Sequence, residues 1–475
     1  MRASMSCATS RPAGLDALAV FAVALAARLA VVAWAAGRFP AADDAHYYDV
    51  LARRLAAGQG YTWLWPDGAV TYAAHYPVGY PALIAVAYRL FGGSAGSAMT
   101  VNALLGATAA YAAYRLVDTG GAARWRPVAA GLAVAVHPAL VPYTAALMTE
   151  GVTAALLVIA AALASRARAA ASARQALPWL AATGLVMGVA TLVRPQSLLL
   201  APVLGALAAP ASIGWGGARL ARAAGVLALA LVTVAPWTAR NCVRMHRCAL
   251  VSVNGGWNLL IGAQTRGGGW EPVAVPPACA AVWDEAGKDA CFERAGRALI
   301  AASPAAWLAR APGKVAATFD YFGAAPYYLH VGNAAAFDDS DKVRLAAIET
   351  LASRLLLLTA LLSSVLWAGP RRTARGIVAA AGALASASTH GWMAYLALAL
   401  VVGLLGPRTW AKAPLVVPAG AALLALTALV HGVFFGAGRY GLVVVPLVTA
   451  MAFVTSRTAG QPAGASARAP SPRSR

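Results

Sequence analysis

Apolar runs long enough to cross a bilayer recur along this chain, and that feature limits its fold more than any other. A spanning helix needs about 20 consecutive apolar residues, because hydrocarbon offers its backbone no other hydrogen-bond partners. Such runs occur near 15–37, 98–117, 127–144, 150–165, 177–193, 196–209 and 221–238, and again near 350–368, 375–389, 392–406, 413–435 and 440–456. Only 12% of the residues are charged and 60% are hydrophobic, whereas a soluble domain carries about 25% charged residues. The expectation is an all-α polytopic membrane protein, a bundle of about 12 transmembrane helices by the length of its apolar runs.

The net charge of +21 does not point to nucleic acid, because the basic residues sit in short clusters between apolar runs. Arg2 and Arg11 precede the first run, which is too long for a cleavable leader despite the weak Ala33-Trp34-Ala35 site, and is read as a span. The segment from Tyr76-Pro77-Val78-Gly79-Tyr80-Pro81 to Leu90-Phe91 is too short to span and reads as re-entrant or interfacial. With that segment left out, Arg115/Arg124/Arg126, Arg166/Arg168/Arg174, Arg219/Arg222, Arg371/Arg372/Arg375, Arg408/Lys412 and the C-terminal arginines all fall in alternate loops. Those loops are cytoplasmic by the positive-inside rule, as are both termini. The acids test the scheme independently: of 17 Asp and Glu, only Asp16 and Asp118 then face the cytoplasm. Carboxylate chemistry is therefore expected on the outer face.

Five regions follow. Residues 1–14 form a cytoplasmic N-terminus, and 15–239 a transmembrane module whose first outer loop is 38–97. Residues 240–348 form an outer insertion, 349–456 the C-terminal transmembrane helices, and 457–475 a disordered cytoplasmic tail rich in Pro, Ser, Ala and Arg. The insertion is too long for a plain connector and carries Trp257, Trp270, Trp283, Tyr321, Tyr327, Tyr328 and the run Arg266-Gly267-Gly268-Gly269. It also holds Cys242, Cys248, Cys279 and Cys291, which form one of three disulfide pairings or remain free thiols.

The order of short motifs resembles a known family. After the first membrane run come Asp43-Asp44 with Tyr47-Tyr48, then Leu55-Ala56-Ala57-Gly58-Gln59-Gly60-Tyr61 and Tyr76-Pro77-Val78-Gly79-Tyr80-Pro81. Thr149-Glu150, Leu192-Val193-Arg194-Pro195, Pro236-Trp237-Thr238-Ala239-Arg240-Asn241, Asn254-Gly255-Gly256-Trp257-Asn258-Leu259 and Gly438-Arg439-Tyr440 follow. The series is similar to that of the GT-C glycosyltransferases, in the branch of the protein O-mannosyltransferases and lipid A aminoarabinose transferases. The resemblance implies a polyprenyl-phosphate sugar donor, an active site opening to the periplasm or exterior of the cytoplasmic membrane, and an acid of the first outer loop as base. It implies as partners a glycan, lipid or protein acceptor and the membrane lipids. Where that family usually has Asp-Glu, this chain has Asp43-Asp44.

The implied reaction displaces a lipid phosphate from an anomeric carbon. One carboxylate takes the acceptor's proton and cationic groups stabilise the leaving phosphate. Asp43 is the first choice for the base and Asp44 the second, although Asp43 also stands where a helix N-cap belongs. Glu150 is the second acidic position by resemblance. Arg194, Arg240 and Arg439 are candidates for the phosphate, since a guanidinium fork binds phosphate oxygens in pairs and stays charged when half-buried. His75 and Tyr76 are candidates to touch the sugar. No residue pattern calls for a metal or cofactor. The alternative class is a polytopic transporter or lipid flippase, which places charges at mid-membrane between repeated halves; no internal repeat is found.

Overall fold

The computed structural model describes residues 13–118, 123–320 and 323–454. Residues 1–12, Tyr321 and the 457–475 tail named above lie outside the described residues. The chain is an all-α polytopic membrane protein, and every expected span contains a helix. The first part runs α1 (Ala13–Ala35), α2 (Asp44–Ala56), the hairpin β1 (Thr62–Leu64) and β2 (Val70–Tyr72), α3 (Gly79–Phe91) and α4 (Ala95–Val117). It continues with α5 (Trp125–Ala135), α6 (Thr149–Ala169), α7 (Ala173–Val193), α8 (Leu200–Leu207) and α9 (Gly217–Arg244). The insertion supplies α10 (Gly255–Gln264), α11 (Pro277–Ala280), α12 (Glu285–Ala302), α13 (Pro304–Ala309), α14 (Ala311–Phe319) and α15 (Ala324–Gly332). Last come α16 (Asp339–Val365), α17 (Arg372–Ser386), α18 (Trp392–Trp410), α19 (Val416–Val433), α20 (Gly438–Gly441) and α21 (Val445–Met451). Among the described residues, seven helices are long and apolar enough to cross a membrane: α1, α6, α7, α9, α16, α18 and α19.

The run 127–144 departs from a continuous span. Its helix stops at Ala135 because Pro138 and Pro142 withhold backbone donors and clash with the preceding turn. The freed carbonyls are then answered from a neighbouring helix. Arg28, on α1 and 2% exposed, donates from Nη1 to Ala135 O at 2.8 Å and from Nη2 to Val134 O at 3.3 Å. Irregular backbone inside a bundle persists only when such partners exist. Elsewhere the helices touch through small residues, which let backbones approach and gain dispersion contact that lipid would not otherwise yield. Gly184 and Gly188, four apart on α7, are the clearest case. A Cβ at Gly188 would stand 2.4 Å from Cβ of Thr233 on α9.

The short segment 76–91 folds as α3, a 13-residue helix packed on α2, α4 and α7 with Val86, Leu90 and Phe91 exposed. In the insertion the cysteines pair as Cys242–Cys248 and Cys279–Cys291. The helices at its edges overrun the expected boundaries: α9 continues past 239 to Arg244, and α16 starts at Asp339. The C-terminal α21 returns to pack on α4, α5, α16 and α19, so the two transmembrane parts share one core.

Candidate active site

One end of the bundle gathers Asp43, Asp44, Tyr76, Glu150, Arg194 and Arg439 from five separate stretches of chain. Asp43 does not cap α2: its carboxylate makes no bond to the helix, and its backbone sits at φ 52°, ψ −129°. The side chain is exposed, and Oδ2 accepts from the Tyr327 hydroxyl at 2.9 Å. A non-glycine residue in that region costs about 1–3 kcal/mol and persists only where its surroundings impose it. Asp44 opens α2 and is half-buried. Its Oδ1 accepts from the Tyr76 hydroxyl at 3.0 Å and its Oδ2 from Arg439 Nη1 at 2.8 Å.

Deeper in the bundle lies Glu150, in the first turn of α6 and 1% exposed. A bare carboxylate there would be prohibitively costly, so partners surround it. Arg194 donates to Oε1 at 2.6 Å, Tyr143 to Oε2 at 2.8 Å, and Arg439 Nε stands 3.5 Å away. Arg194 is held where it is because Pro195 ends α7, leaving it in extended backbone at the helix end. Its remaining fork edge, Nη2 and Nε, faces the side-chain amide of Gln196, which with its oxygen turned inward accepts both at 3.0 Å. Both guanidinium groups lie against the Tyr440 ring, at 4.8 Å for Arg194 and 5.1 Å for Arg439. Arg439 also donates to the Tyr328 hydroxyl. Beside Arg194 and Gln196 lies a small pocket lined by Leu157, Leu200, Leu423, Leu426 and Val430 together with Thr427 and His431.

Arg240 and His75 do not join this cluster. Arg240 lies across the β1–β2 hairpin, donating to Ala73 O and Tyr61 O at 2.9 Å each and stacking on Trp237 at 4.7 Å. Its fork is occupied by main chain, so in this structure Arg240 braces the hairpin and stands apart from Arg194 and Arg439. The His75 ring is wedged edge-on between Tyr76 and Trp257, at 4.9 and 5.9 Å. Its loss of hydration pushes the imidazole down to about 4, against an upward pull from Asp44. Burial, and then the Asp44 carboxylate, pushes the Tyr76 phenol up and keeps it a donor. Burial likewise raises Tyr328.

Tyr327, Tyr328, Tyr143 and Gln196 complete the polar shell, and no local pattern singles them out. Tyr327 lies 284 residues from Asp43, and it meets Asp43 while Tyr328 meets Arg439 because α15 folds over the mouth of α2; Gly332 there abuts Pro40 O. The glycine run of the insertion has a structural use. Gly436 donates to Gly268 O at 2.9 Å, and a Cβ at Gly436 would lie 2.0 Å from Lys314 O. That close backbone pairing fixes the short segment leading into Arg439. Among the described residues no three His, Cys, Asp or Glu side chains come together as a metal site.

Residues 75–238 match the family model of dolichyl-phosphate-mannose-protein mannosyltransferase. Among solved structures the chain is similar to the oligosaccharyltransferase AglB of Archaeoglobus fulgidus in complex with an inhibitory peptide and a dolichol-phosphate, at 14% identity and TM-score 0.44, over 92% of this chain and 50% of that one. ArnT of Cupriavidus metallidurans aligns at 17% identity and TM-score 0.40, over 94% and 78%. Arabinosyltransferase EmbB of Mycobacterium smegmatis aligns at 16% and 0.32, over 87% and 41%. The chain thus spans about half the length of the oligosaccharyltransferase. No curated protein matches. Over those residues the family model agrees with the protein O-mannosyltransferase branch of the resemblance read from the motifs.

Proposed function

We propose that this chain is a membrane glycosyltransferase that moves a sugar from a polyprenyl-phosphate donor to an acceptor hydroxyl on the outer face of the cytoplasmic membrane. The observation that carries the reading is the convergence of Arg194 and Arg439, 245 positions apart in the sequence, beside an acid pair. In the donor-bound state the phosphate takes the place of Gln196 on the outer edge of Arg194. That exchange swaps a neutral acceptor for an anionic one and suits a bidentate guanidinium contact. The prenyl chain follows the apolar side chains Leu157, Leu200, Leu423, Leu426 and Val430 beside Arg194, where each buried CH₂ contributes about 0.8 kcal/mol.

Asp43 acts as base. Its carboxylate is the exposed member of the pair and has no cation partner among the described residues, whereas Asp44 is held by Arg439 and Tyr76. As the acceptor oxygen bonds to the anomeric carbon, Asp43 takes its proton and the carbon–phosphate oxygen bond breaks, its electron pair leaving with the polyprenyl phosphate. A single displacement inverts the anomeric centre. Arg439, steadied by Asp44 and Glu150, balances charge on the departing phosphate. A transporter would use charges buried at mid-membrane, and the grouping of these side chains near the helix ends favours transfer instead.

The test is a comparison of lipid-linked intermediates and surface glycans in a deletion strain and its parent, with purified protein supplied with radiolabelled polyprenyl-phosphate sugars. Accumulated lipid-linked donor and a missing glycan, restored by the wild-type chain, support the reading. Unchanged glycans, with uptake of a solute into vesicles dependent on the chain, reject it in favour of transport.

A further inference from the structure

Tyr76 reaches Asp44 from a loop that is bonded to the insertion. Ala74 and His75 both donate their backbone N–H to one oxygen, Oε2 of Glu285, at 2.6 and 2.8 Å. Glu285 opens α12 of the insertion, more than 200 residues away in the chain. The same loop is met from its other sides by Arg240 on Ala73 O, by Val253 N–H on Ala74 O at 2.9 Å, and by the Tyr61 hydroxyl on Tyr76 O at 2.8 Å. Of these contacts, only Glu285 provides a carboxylate to two consecutive N–H groups, and the residue after them carries the phenol that holds Asp44.

We infer that Glu285 is a positioning residue, through which the insertion sets the Tyr76 hydroxyl on Asp44 and hence the placement of the acid pair. A carboxylate taken out of water is costly unless its hydrogen bonds are made, and Glu285 keeps its place because these two N–H groups are otherwise unanswered. Burial raises its carboxyl, and the two N–H groups pull it back. Arg240 lies near enough to add to that pull while it grips the adjacent carbonyl, so charge and geometry lock the loop together. The consequence for chemistry rests on the transferase reading; the consequence for Tyr76 does not.

The experiment places 3-fluorotyrosine at position 76 of the full-length protein in lipid nanodiscs and reads its fluorine resonance, with amide exchange of the peptide spanning residues 73–77 measured alongside. Glu285→Ala is expected to move the resonance in the direction that Asp44→Asn moves it, and to speed exchange at residues 74 and 75 by ~10-fold or more as two hydrogen bonds are lost. Glu285→Gln retains an acceptor oxygen and is expected to restore both signals. Asp284→Ala is the control for general weakening of α12, because Asp284 caps that helix at Gly287 N without touching the loop; it should leave Tyr76 unmoved. A wild-type resonance in Glu285→Ala overturns the inference, as does an equal shift in Asp284→Ala. Should Glu285→Ala fail to fold, a wild-type spectrum in Glu285→Gln supports the inference and a displaced one overturns it. In the transfer assay Glu285→Ala is expected to lower kcat by ~10-fold with the donor KM within about 2-fold, since misplacement by a fraction of an ångström acts on the chemical step. Absence of transfer in the wild type would reject the enzyme reading while leaving the resonance result to stand.

Discussion

Replacing Asp43 by glycine separates what the residue does for the fold from what it does for the reaction. At φ 52°, ψ −129° its backbone occupies a region that glycine enters freely and an L side chain enters at a cost of about 1–3 kcal/mol. Glycine in turn loses about 0.5–1 kcal/mol through the greater freedom of its unfolded chain. Both Asp43→Gly and Asp43→Ala lose the bond from Tyr327, so that contribution cancels when the two variants are compared. The glycine variant should then be more stable than the alanine variant by roughly 0.5–2 kcal/mol, a few degrees in Tm at this chain length. Thermal unfolding in detergent, followed by tryptophan fluorescence, reads the difference. Both variants should have lost transfer. Equal stability, or a less stable glycine variant, would refute the claim that the site holds Asp43 in a strained conformation.

Two further outcomes follow from the buried charges. Glu150→Leu leaves the Arg194 guanidinium without its counter-ion at a 12%-exposed position, and should cost about 3–5 kcal/mol in a thermal melt, while the double change with Arg194→Leu should recover much of that loss. For His75 the sign is set by a native pKa of about 4 against an ordinary value near 6.5. Between those values the unfolded chain binds the proton and the native one does not, so stability falls as pH drops through that window, by at most about 1.4 kcal/mol per unit. His75→Asn should flatten the dependence of Tm on pH from 6.5 to 4; an unchanged slope would assign it to other groups.

Membrane class and helix positions were legible because each rests on local composition: apolar run length and breakers. The polar centre was legible in part. Glu150, Arg194 and Arg439 stand beside Pro, Gly or a helix end, and such junctions announce a charged residue facing inward. Arg240 has the same look, preceding Asn241 at the end of an apolar run, yet it clamps the β1–β2 hairpin, whose three-residue strands are too short to register as a pattern. The break at Ala135 was hidden because Pro138 and Pro142 sit in apolar sequence, and its remedy, Arg28, comes from another helix. Tyr327, Tyr328 and Glu285 were invisible for a related reason: their partners lie between 111 and 284 residues away, and only the fold of the insertion brings them together.

The central claim is that Asp43 removes the acceptor's proton while Asp44 holds the arginine that meets the phosphate. Initial rates of sugar transfer from a polyprenyl-phosphate donor, measured for Asp43→Asn and Asp44→Asn in nanodiscs, test it most directly. Asp43→Asn should lower kcat by about 10²–10⁴-fold at unchanged donor affinity, and Asp44→Asn should weaken donor binding. Transfer at the wild-type rate in Asp43→Asn would contradict it.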